Sequence, residues 1–412
     1  MKVWNLLIVG AGPAGLNAAI AAAGEGLKVK IIDEFNRIGG RLLGQLHQEP
    51  NGEWWNGIDV ANRLHEKAIT LGVKIESGVS VYDLEQSEFG WKVYTSEGME
   101  KTEKLLLATG ATEVPTPIPG WTIPGVMSIG AAQVMGNVHR VKPGNTCVII
   151  GANVLSIAIA NELRLCGVEV KEIVISQPNS SLTHSGTPEK VMESLLQLTH
   201  LAPSVLLRQA GRVAKYIHPS LAVKFYPKNG MNILDIPIKI KTAATEIIGD
   251  KKVKGVKTVN IRSNGEIIPN TERITEADFV CIAGGLAPLP ELAALTSCEF
   301  KFVHELGGHI PLHSERMETN EPNLFVAGNI TGVESAKVAM AQGTVAGLTI
   351  ASEIKGNKKH SDSAIEEALL TVRKEREEAL IQFQPNIARA RELIYQQFEL
   401  DWKAESPKRS IS

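Results

Sequence analysis

The sequence predicts an α/β protein in which two open, mostly parallel sheets are followed by a helical tail. Three observations carry that expectation. The chain opens as strand, Gly-rich turn, helix and strand in VWNLLIVGAGPAGLNAAIAAAGEGLKVKIIDE. The same order returns about 140 residues later, from Cys147, in CVIIGANVLSIAIANELRLCGVEVKEIVI. Composition agrees: 43% hydrophobic residues, only 5% aromatic ones and 37 glycines suit a layered protein rich in Ala, Val, Ile and Leu. Two such units imply two Rossmann-like dinucleotide-binding domains, the second inserted in the first.

The elements follow in order. Val3 to Val9 is a continuous apolar run, as expected of a strand covered on both faces. Ala14 to Ala23 holds no β-branched residue except Ile20, which suits a helix lying close on a sheet. Val29 and Ile31 alternate toward Asp33 at the end of the second strand. Val60, Leu64, Ala68 and Leu71 give Gly57–Leu71 helical spacing, Glu76–Tyr94 offers short strands, and Leu105 to Leu107 is an apolar strand running into Gly110. Pro115, Pro117, Pro119 and Pro124 mark a crossover, so residues 1–125 and 275–354 form the first domain and 126–274 the inserted one. Within the insert, Pro188–Tyr216 reads as helical and Ile238–Ile268 as a β-meander. After Asp278 come two short strands ending in Gly, DFVCIAGG and NLFVAGN, and a small-residue helix from Ser335 to Ile354. The polar stretch 355–363 reads as a linker.

A helical hairpin over 364–403, broken at Pro385, completes the chain. Its apolar positions, Ile365, Leu369, Val372, Ala379 and Phe383, then Ile387, Ala390, Ile394, Phe398 and Trp402, recur at helical intervals. It packs on its own domain or docks on a partner subunit. The run RKEREE at 373–378 pairs opposite charges at helical spacing and reads as a solvated face.

Several classes of function are disfavoured at this level. A chain of 412 residues makes two or three domains with large cores. Lys plus Arg number 43 against 45 Asp plus Glu, a net charge of -2, so no field holds a polyanion and nucleic acid is not an expected partner. Cys147, Cys166, Cys281 and Cys298 include no Cys-x-x-Cys pair, which disfavours thiol redox chemistry, a disulfide framework and structural zinc; no metal site is expected. Met1-Lys2 leads straight into a strand, and no stretch approaches the ~18 apolar residues of a membrane span. The expected location is cytoplasmic, at a membrane only through a partner.

The chemistry begins at Gly10-x-Gly12-x-x-Gly15, which also includes Pro13 and Ala14. Gly10 permits the turn, Gly12 lets a pyrophosphate approach the backbone, Gly15 lets helix and strand pack, and the helix N-terminus offers N–H groups and a positive dipole end. Asp33, with Glu34 second, stands where a carboxylate accepts hydrogen bonds from a ribose. Gly39-Gly40-Arg41 suits a second approach to the pyrophosphate or the flavin's edge. The later turn keeps Gly151 but carries Asn153, whose side chain pushes into the space a pyrophosphate must enter, and Ser156, whose side chain loosens helix against strand, so a working NAD(P)H site is not expected there.

The order of GAGPAG, an acidic strand end, Gly39-Gly40, LLLATGATEVPTPIPG with Ala108, Thr109 and Gly110, and NLFVAGNITG with Gly328 and Asn329 resembles flavoproteins of the pyridine nucleotide–disulfide oxidoreductase type over residues 3–352. IPGVMSIGAAQ (123–133) and the run from CIAGGLAPLPELA to SAKVAMAQG are similar to a narrower group, the α subunits of multi-subunit amino-acid dehydrogenases and oxidases acting on sarcosine, proline or hydroxyproline, glycine or opines. The resemblance implies FAD as cofactor and a β subunit carrying the amine-oxidising flavin site. Where the complex holds an iron–sulfur cluster, it also implies a small iron–sulfur subunit, because no cysteine follows Cys298. Asn329 stands where that family usually has an Asp accepting from the flavin's sugar-alcohol chain; it offers an amide oxygen without the charge. ATP or another adenine nucleotide in the adenine half therefore stays open. So do a stand-alone NAD(P)H-dependent reductase and a non-catalytic nucleotide-binding scaffold. His47, His309 and His313 are candidates to line a flavin pocket, though a structural role is the simpler reading.

Overall fold

The structure, a computed structural model, describes residues 3–49, 51–177, 186–197, 219–356, 358–379 and 387–409. The elements that position the site and its surroundings are β1 (Val3–Val9), α1 (Pro13–Gly24), β2 (Val29–Asp33), β3 (Thr146–Ile150), α2 (Val154–Leu165), α3 (Ala336–Lys355), α4 (Lys358–Glu377) and α5 (Ile387–Arg409). The chain divides into two compact units, one of residues 1–45, 56–112 and 287–412, the other of 46–55 and 113–286. The prolines at 115–124 belong to the second unit rather than ending the first. Ile247 N donates to Pro119 O at 2.8 Å and Val253 N to Pro124 O at 3.0 Å, so that stretch is tied down by backbone pairing.

In unit 1, β1 runs parallel between β2 and the strand Gly98–Leu107, with Lys74–Ser77 beyond β2. Leu324–Val326 adds a further parallel strand, and Val81–Ser87 and Gly90–Thr95 complete an antiparallel flank. Leu6, Leu7 and Ile8 are fully buried, which accounts for the unbroken apolar pattern of β1. α1 and α3 lie against each other because both present small residues at the seam. A Cβ on Gly343 would stand 2.1 Å from Ala14 O, and one on Gly347 2.3 Å from Ala18 O. Ile365, Leu369 and Val372 of α4 join the same core as α1 and α3, and Ile387, Ala390, Ile394 and Phe398 of α5 pack on Leu306, Ile310 and Leu312.

Two tail expectations change. The polar 355–363 stretch is not a plain linker, since α4 already starts at Lys358; no proline interrupts it, and its continuation packs on the core. Arg376 does not sit on a solvated face: it turns inward to Glu334, a partner 42 residues away that helical periodicity cannot reveal. Phe383 and the 198–216 part of the expected 188–216 helix lie outside the described residues, as does the Trp402 side chain.

In unit 2 the sheet runs Val126–Ser128, Phe279–Ile282, β3, Glu169–Ser176 and Ile236–Gly249 in parallel, then turns antiparallel through Val253–Asn260 and Arg273–Glu276. Its core is again aliphatic, with Ile149, Ile159, Leu163, Ile173 and Ile238 buried. Cys147 and Cys281 lie in that core as free thiols.

Candidate functional site

The first Gly-rich turn links β1 to α1 at the carboxyl end of the unit 1 sheet, the edge where open α/β sheets take ligands. Gly10 has φ +106°, and a Cβ there would come within 2.4 Å of Ala108 O; only glycine allows this turn so close to the neighbouring strand. A Cβ on Gly15 would meet Gly10 O at 1.9 Å, so this glycine sets the distance between helix and strand. Gly12 differs: a Cβ there meets nothing within 4 Å, so the backbone opens onto free space that a side chain would fill. No side chain caps α1 at Gly12, and Pro13 opens its first turn. The helix N-terminus is therefore left to whatever occupies that space. A diphosphate fits this cradle.

The other expected segments gather around the turn. Gly39 N donates to Ala11 O at 3.0 Å, and a Cβ on Gly40 would lie 3.1 Å from Gly12 Cα. Arg41 Nε donates to Ala111 O at 3.1 Å. Thr109 Oγ1 donates to Leu289 O at 2.6 Å, and Gly110 borders open space. Gly328 abuts α1, where a Cβ would stand 2.8 Å from that of Ala14, and its N–H donates to the buried Gln342 Oε1 at 2.9 Å. Asn329 Oδ1 accepts from Glu334 N at 3.2 Å.

Asp33, which the sequence favours as the ribose acceptor, also has two backbone partners. Its Oδ2 accepts from Ala11 N at 2.6 Å and its Oδ1 from Phe35 N at 2.8 Å. Burial pushes its carboxyl up, opposed by those two backbone hydrogen bonds. Each oxygen retains a second lone pair, but the first duty of Asp33 is to hold the Gly-rich turn. Glu34 is exposed at the strand end.

Sequence reasoning misses a buried ionic group behind Asn329. Glu334 Oε2 lies 2.6 Å from Arg391 Nη2, and Glu334 Oε1 2.9 Å from Arg376 Nε. Burial would raise the Glu334 carboxyl, yet the Arg391 and Arg376 guanidiniums hold it below the ordinary carboxylate range. His313 is fully buried beside them, its Nδ1 2.7 Å from Pro311 O. Burial, reinforced by the charge of Arg391, lowers it to about 3, so it stays neutral. His309 stands edge-on to Phe302 at 5.1 Å, and His47 stacks on Trp55 at 5.9 Å in unit 2. A cavity of 480 Å³ lies elsewhere in unit 1, lined by Ser314, Arg316, Arg373, Tyr395 and others, none from the Gly-rich turn.

The second turn, in unit 2, closes on itself. Asn153 Oδ1 accepts from Ser156 N at 2.9 Å, Ser156 Oγ accepts from Asn153 N at 2.9 Å, and Asn153 Nδ2 donates to Ala283 O at 2.9 Å. This reciprocal capping box satisfies the N-terminus of α2 from within the chain. Further along α2, Glu162 is buried and accepts from Gln133 Nε2, Asn137 Nδ2 and, at 3.5 Å, Leu46 N. Burial outweighs these hydrogen bonds and pushes its carboxyl up to about 7. Among the described residues no group of His, Cys, Asp and Glu is arranged to hold a metal, and no helix is long and apolar enough to cross a membrane.

Residues 4–343 match the family described as pyridine nucleotide-disulphide oxidoreductase, whose members bind FAD. The A chain of the opine oxidase of Agrobacterium tumefaciens (strain Ach5) is 27% identical over 85% of this chain and 66% of its own length. The chain thus spans just under two thirds of that relative. The alpha chain of the sarcosine oxidase of Rhizobium meliloti (strain 1021) is 30% identical over 47% of this chain and 21% of its own length. Among solved structures, the thioredoxin reductase of T. acidophilum superposes with a TM-score of 0.60 at 22% identity, covering 86% of this chain and all (100%) of that one; at that identity the likeness is one of fold.

Proposed function

Because the chain belongs to the pyridine nucleotide-disulphide oxidoreductase family, we propose that unit 1 holds FAD at the Gly10–Gly15 turn and that the chain is the flavin-binding α subunit of a multi-subunit amino-acid dehydrogenase. The observation that carries the reading is the contrast at Gly12, where uncapped helix and open space meet in a turn otherwise closed by contact. The name of the Agrobacterium relative, one chain of an opine oxidase, supports the class of substrate. A β subunit would carry the site that removes a hydride from the amine carbon, and any iron–sulfur cluster of the assembly would belong to a further small subunit.

In this reading the backbone N–H groups of Ala14 and Gly15, at the dipole-positive end of α1, receive the diphosphate. Asp33 keeps the turn rigid through Ala11 N and offers the ribose its remaining lone pairs, with the exposed Glu34 carboxylate as the second candidate. Gly40 and Arg41 flank the diphosphate, Ala108–Gly110 line the approach, and Gly328 and Asn329 face the flavin half, Asn329 through its amide without a negative charge. FAD supplies a two-electron acceptor when bound; the protein orients it and sets its electrostatic surroundings. The closed Asn153–Ser156 turn argues against a self-sufficient NAD(P)H-dependent reductase.

The test is the visible spectrum and extracted nucleotide of the purified chain, alone and co-expressed with candidate β subunits. A dye-reduction screen over proline, hydroxyproline, sarcosine, glycine and opines follows. A yellow protein that releases FAD and reduces dye with an amino acid only alongside its partner is the expected result. Adenine nucleotide without yellow colour would favour the scaffold, and full amino-acid oxidation by the isolated chain would overturn the subunit role.

A further inference from the structure

We infer that α4 and α5 act as a strap whose docking sets the affinity for FAD, with Arg391 and Arg376 as positioning residues acting through the Asn329–Glu334 turn. The inference rests on the proposed reading that Gly328 and Asn329 face the cofactor.

The turn closes on its own hydrogen bonds, Thr331 N to Gly328 O at 2.9 Å and Gly332 N to Asn329 O at 3.2 Å, but these leave the carbonyls of Thr331 and Gly332 to be satisfied from outside it. Asn329–Thr331 is a single 3-10 turn followed by Gly332 at φ +122°. Those two carbonyls find their donors in α5: Arg391 Nη1 donates to Thr331 O at 2.9 Å and to Thr331 Oγ1 at 3.1 Å, and Nη2 donates to Gly332 O at 3.1 Å. The same guanidinium pairs with Glu334, which Arg376 of α4 grips from the other side. Glu334 N then donates to Asn329 Oδ1. An unbroken series of contacts thus runs from two helices to the residue next to Gly328.

The geometry is also selective for arginine. Only a planar fork reaches two successive carbonyls and a carboxylate together, and Arg391 is buried to 2% exposure. A buried carboxylate between two guanidiniums is tolerable only while all three are in place. Docking of the strap and order of the turn are therefore coupled, because losing either guanidinium leaves the Glu334 carboxylate short of a partner. If FAD prefers the ordered turn, it must stabilise strap docking by the same factor that docking strengthens FAD binding.

The experiment measures FAD affinity of deflavinated full chain by flavin fluorescence, together with amide hydrogen exchange across residues 390–398 with and without FAD. For wild type, exchange in α5 should slow on adding FAD. Arg391→Lys, which keeps charge but not the fork, should weaken FAD at least tenfold; Glu334→Gln should weaken it more, and both should lose the FAD-dependent slowing. A merely structural Arg391 would lower the melting temperature while leaving affinity and that slowing intact, and this result overturns the inference. Should the variants not fold, the wild-type exchange alone decides: no FAD-dependent change in α5 sinks it. Wild type that takes up no FAD at all would instead sink the underlying reading of the site, and the strap with it.

Discussion

The two Gly-rich turns of this chain share a backbone and differ in who satisfies it. Gly10 and Gly151 both carry a left-handed φ, +106° and +113°, and in both a Cβ would strike the carbonyl of the neighbouring strand, Ala108 O at 2.4 Å and Ala283 O at 2.2 Å. The second positions, Gly12 and Asn153, are both extended, with ψ near ±180°. The divergence that decides capping lies in side chains. Gly12 leaves the end of α1 uncapped, whereas Asn153 and Ser156 cap α2. A helix end without a side-chain cap at a sheet's carboxyl edge offers its N–H groups to an anion; one that is capped satisfies them from within the chain. The same local fold can thus be kept for binding in one place and for architecture in another.

The largest effect should come from the position that tolerates no atom. Gly15→Ala places a Cβ 1.9 Å from Gly10 O, with Ile8 Cγ2 at 3.2 Å behind it, so α1 must move off the sheet. Overpacking against backbone is expected to cost about 3 kcal/mol or more, read as a drop in denaturation midpoint together with loss of flavin. Ser156 at the matching place is already accommodated by its hydrogen bonds to Asn153, so Ser156→Ala should be far milder. Similar losses for the two would end the distinction between the turns.

Next comes Glu162 on α2, a buried acid with no counterpart in the Ala-rich α1. Its folded carboxyl titrates at about 7 against an ordinary 4.5, so folding favours its neutral form. The penalty is absent below pH ~4.5, grows between there and pH ~7, and is constant above, reaching about 3 kcal/mol at ~1.4 kcal/mol per pH unit. Glu162→Gln mimics the protonated acid and should raise stability by about that amount at pH 8 while changing little at pH 4.5. Melting curves at the two pH values check it; a gain equal at both would show that the carboxyl is not titrating.

These contrasts separate what sequence can reveal from what it cannot. Gly10, Gly15 and Gly151 are legible because their constraint is steric and local, written into three consecutive elements. Asn153 is legible as an intrusion and Ser156 as a departure at the helix–strand contact, although not as a reciprocal pair. Arg376 escapes a reading from the string because its partner Glu334 is remote in sequence, and periodicity classes a guanidinium in RKEREE as solvated. Arg391 and the buried Lys30, which pairs with Glu76 and Glu100 at 2.7 Å each, share that problem. The position of Asp33 points to a ribose, but nothing in the string indicates that Ala11 N and Phe35 N claim its oxygens first. Residues that work through contacts across the fold leave no periodic trace.

A sharper comparison uses Gly12→Ala. The added Cβ meets no protein atom within 4 Å and the φ of -77° is ordinary for alanine, so the apoprotein should melt within ~0.5 kcal/mol of wild type, as surface changes do. The cost should fall on the ligand, because the methyl occupies the space where the diphosphate would approach. A loss of about 100-fold in FAD affinity, near 2.7 kcal/mol, is expected by fluorescence titration. Unchanged affinity would mean that the open space at Gly12 is not where the dinucleotide lies.

The smallest effect belongs to the second turn. Asn153→Ala removes the acceptor for Ser156 N and the donor to Ala283 O, and loss of such a cap costs about 1 kcal/mol. Because that turn satisfies itself, the loss should appear in stability alone, with FAD content and affinity as in wild type. NADH should bleach neither protein's flavin quickly, since alanine still fills the position a pyrophosphate needs. Asn153→Gly is the discriminating companion: it removes both cap and obstruction. If glycine there brings rapid NADH bleaching while alanine does not, the side chain at 153 is what keeps the second turn shut. If wild type already bleaches at the rate of the glycine variant, the capping box is no barrier, and the two turns are functionally alike despite their different chemistry.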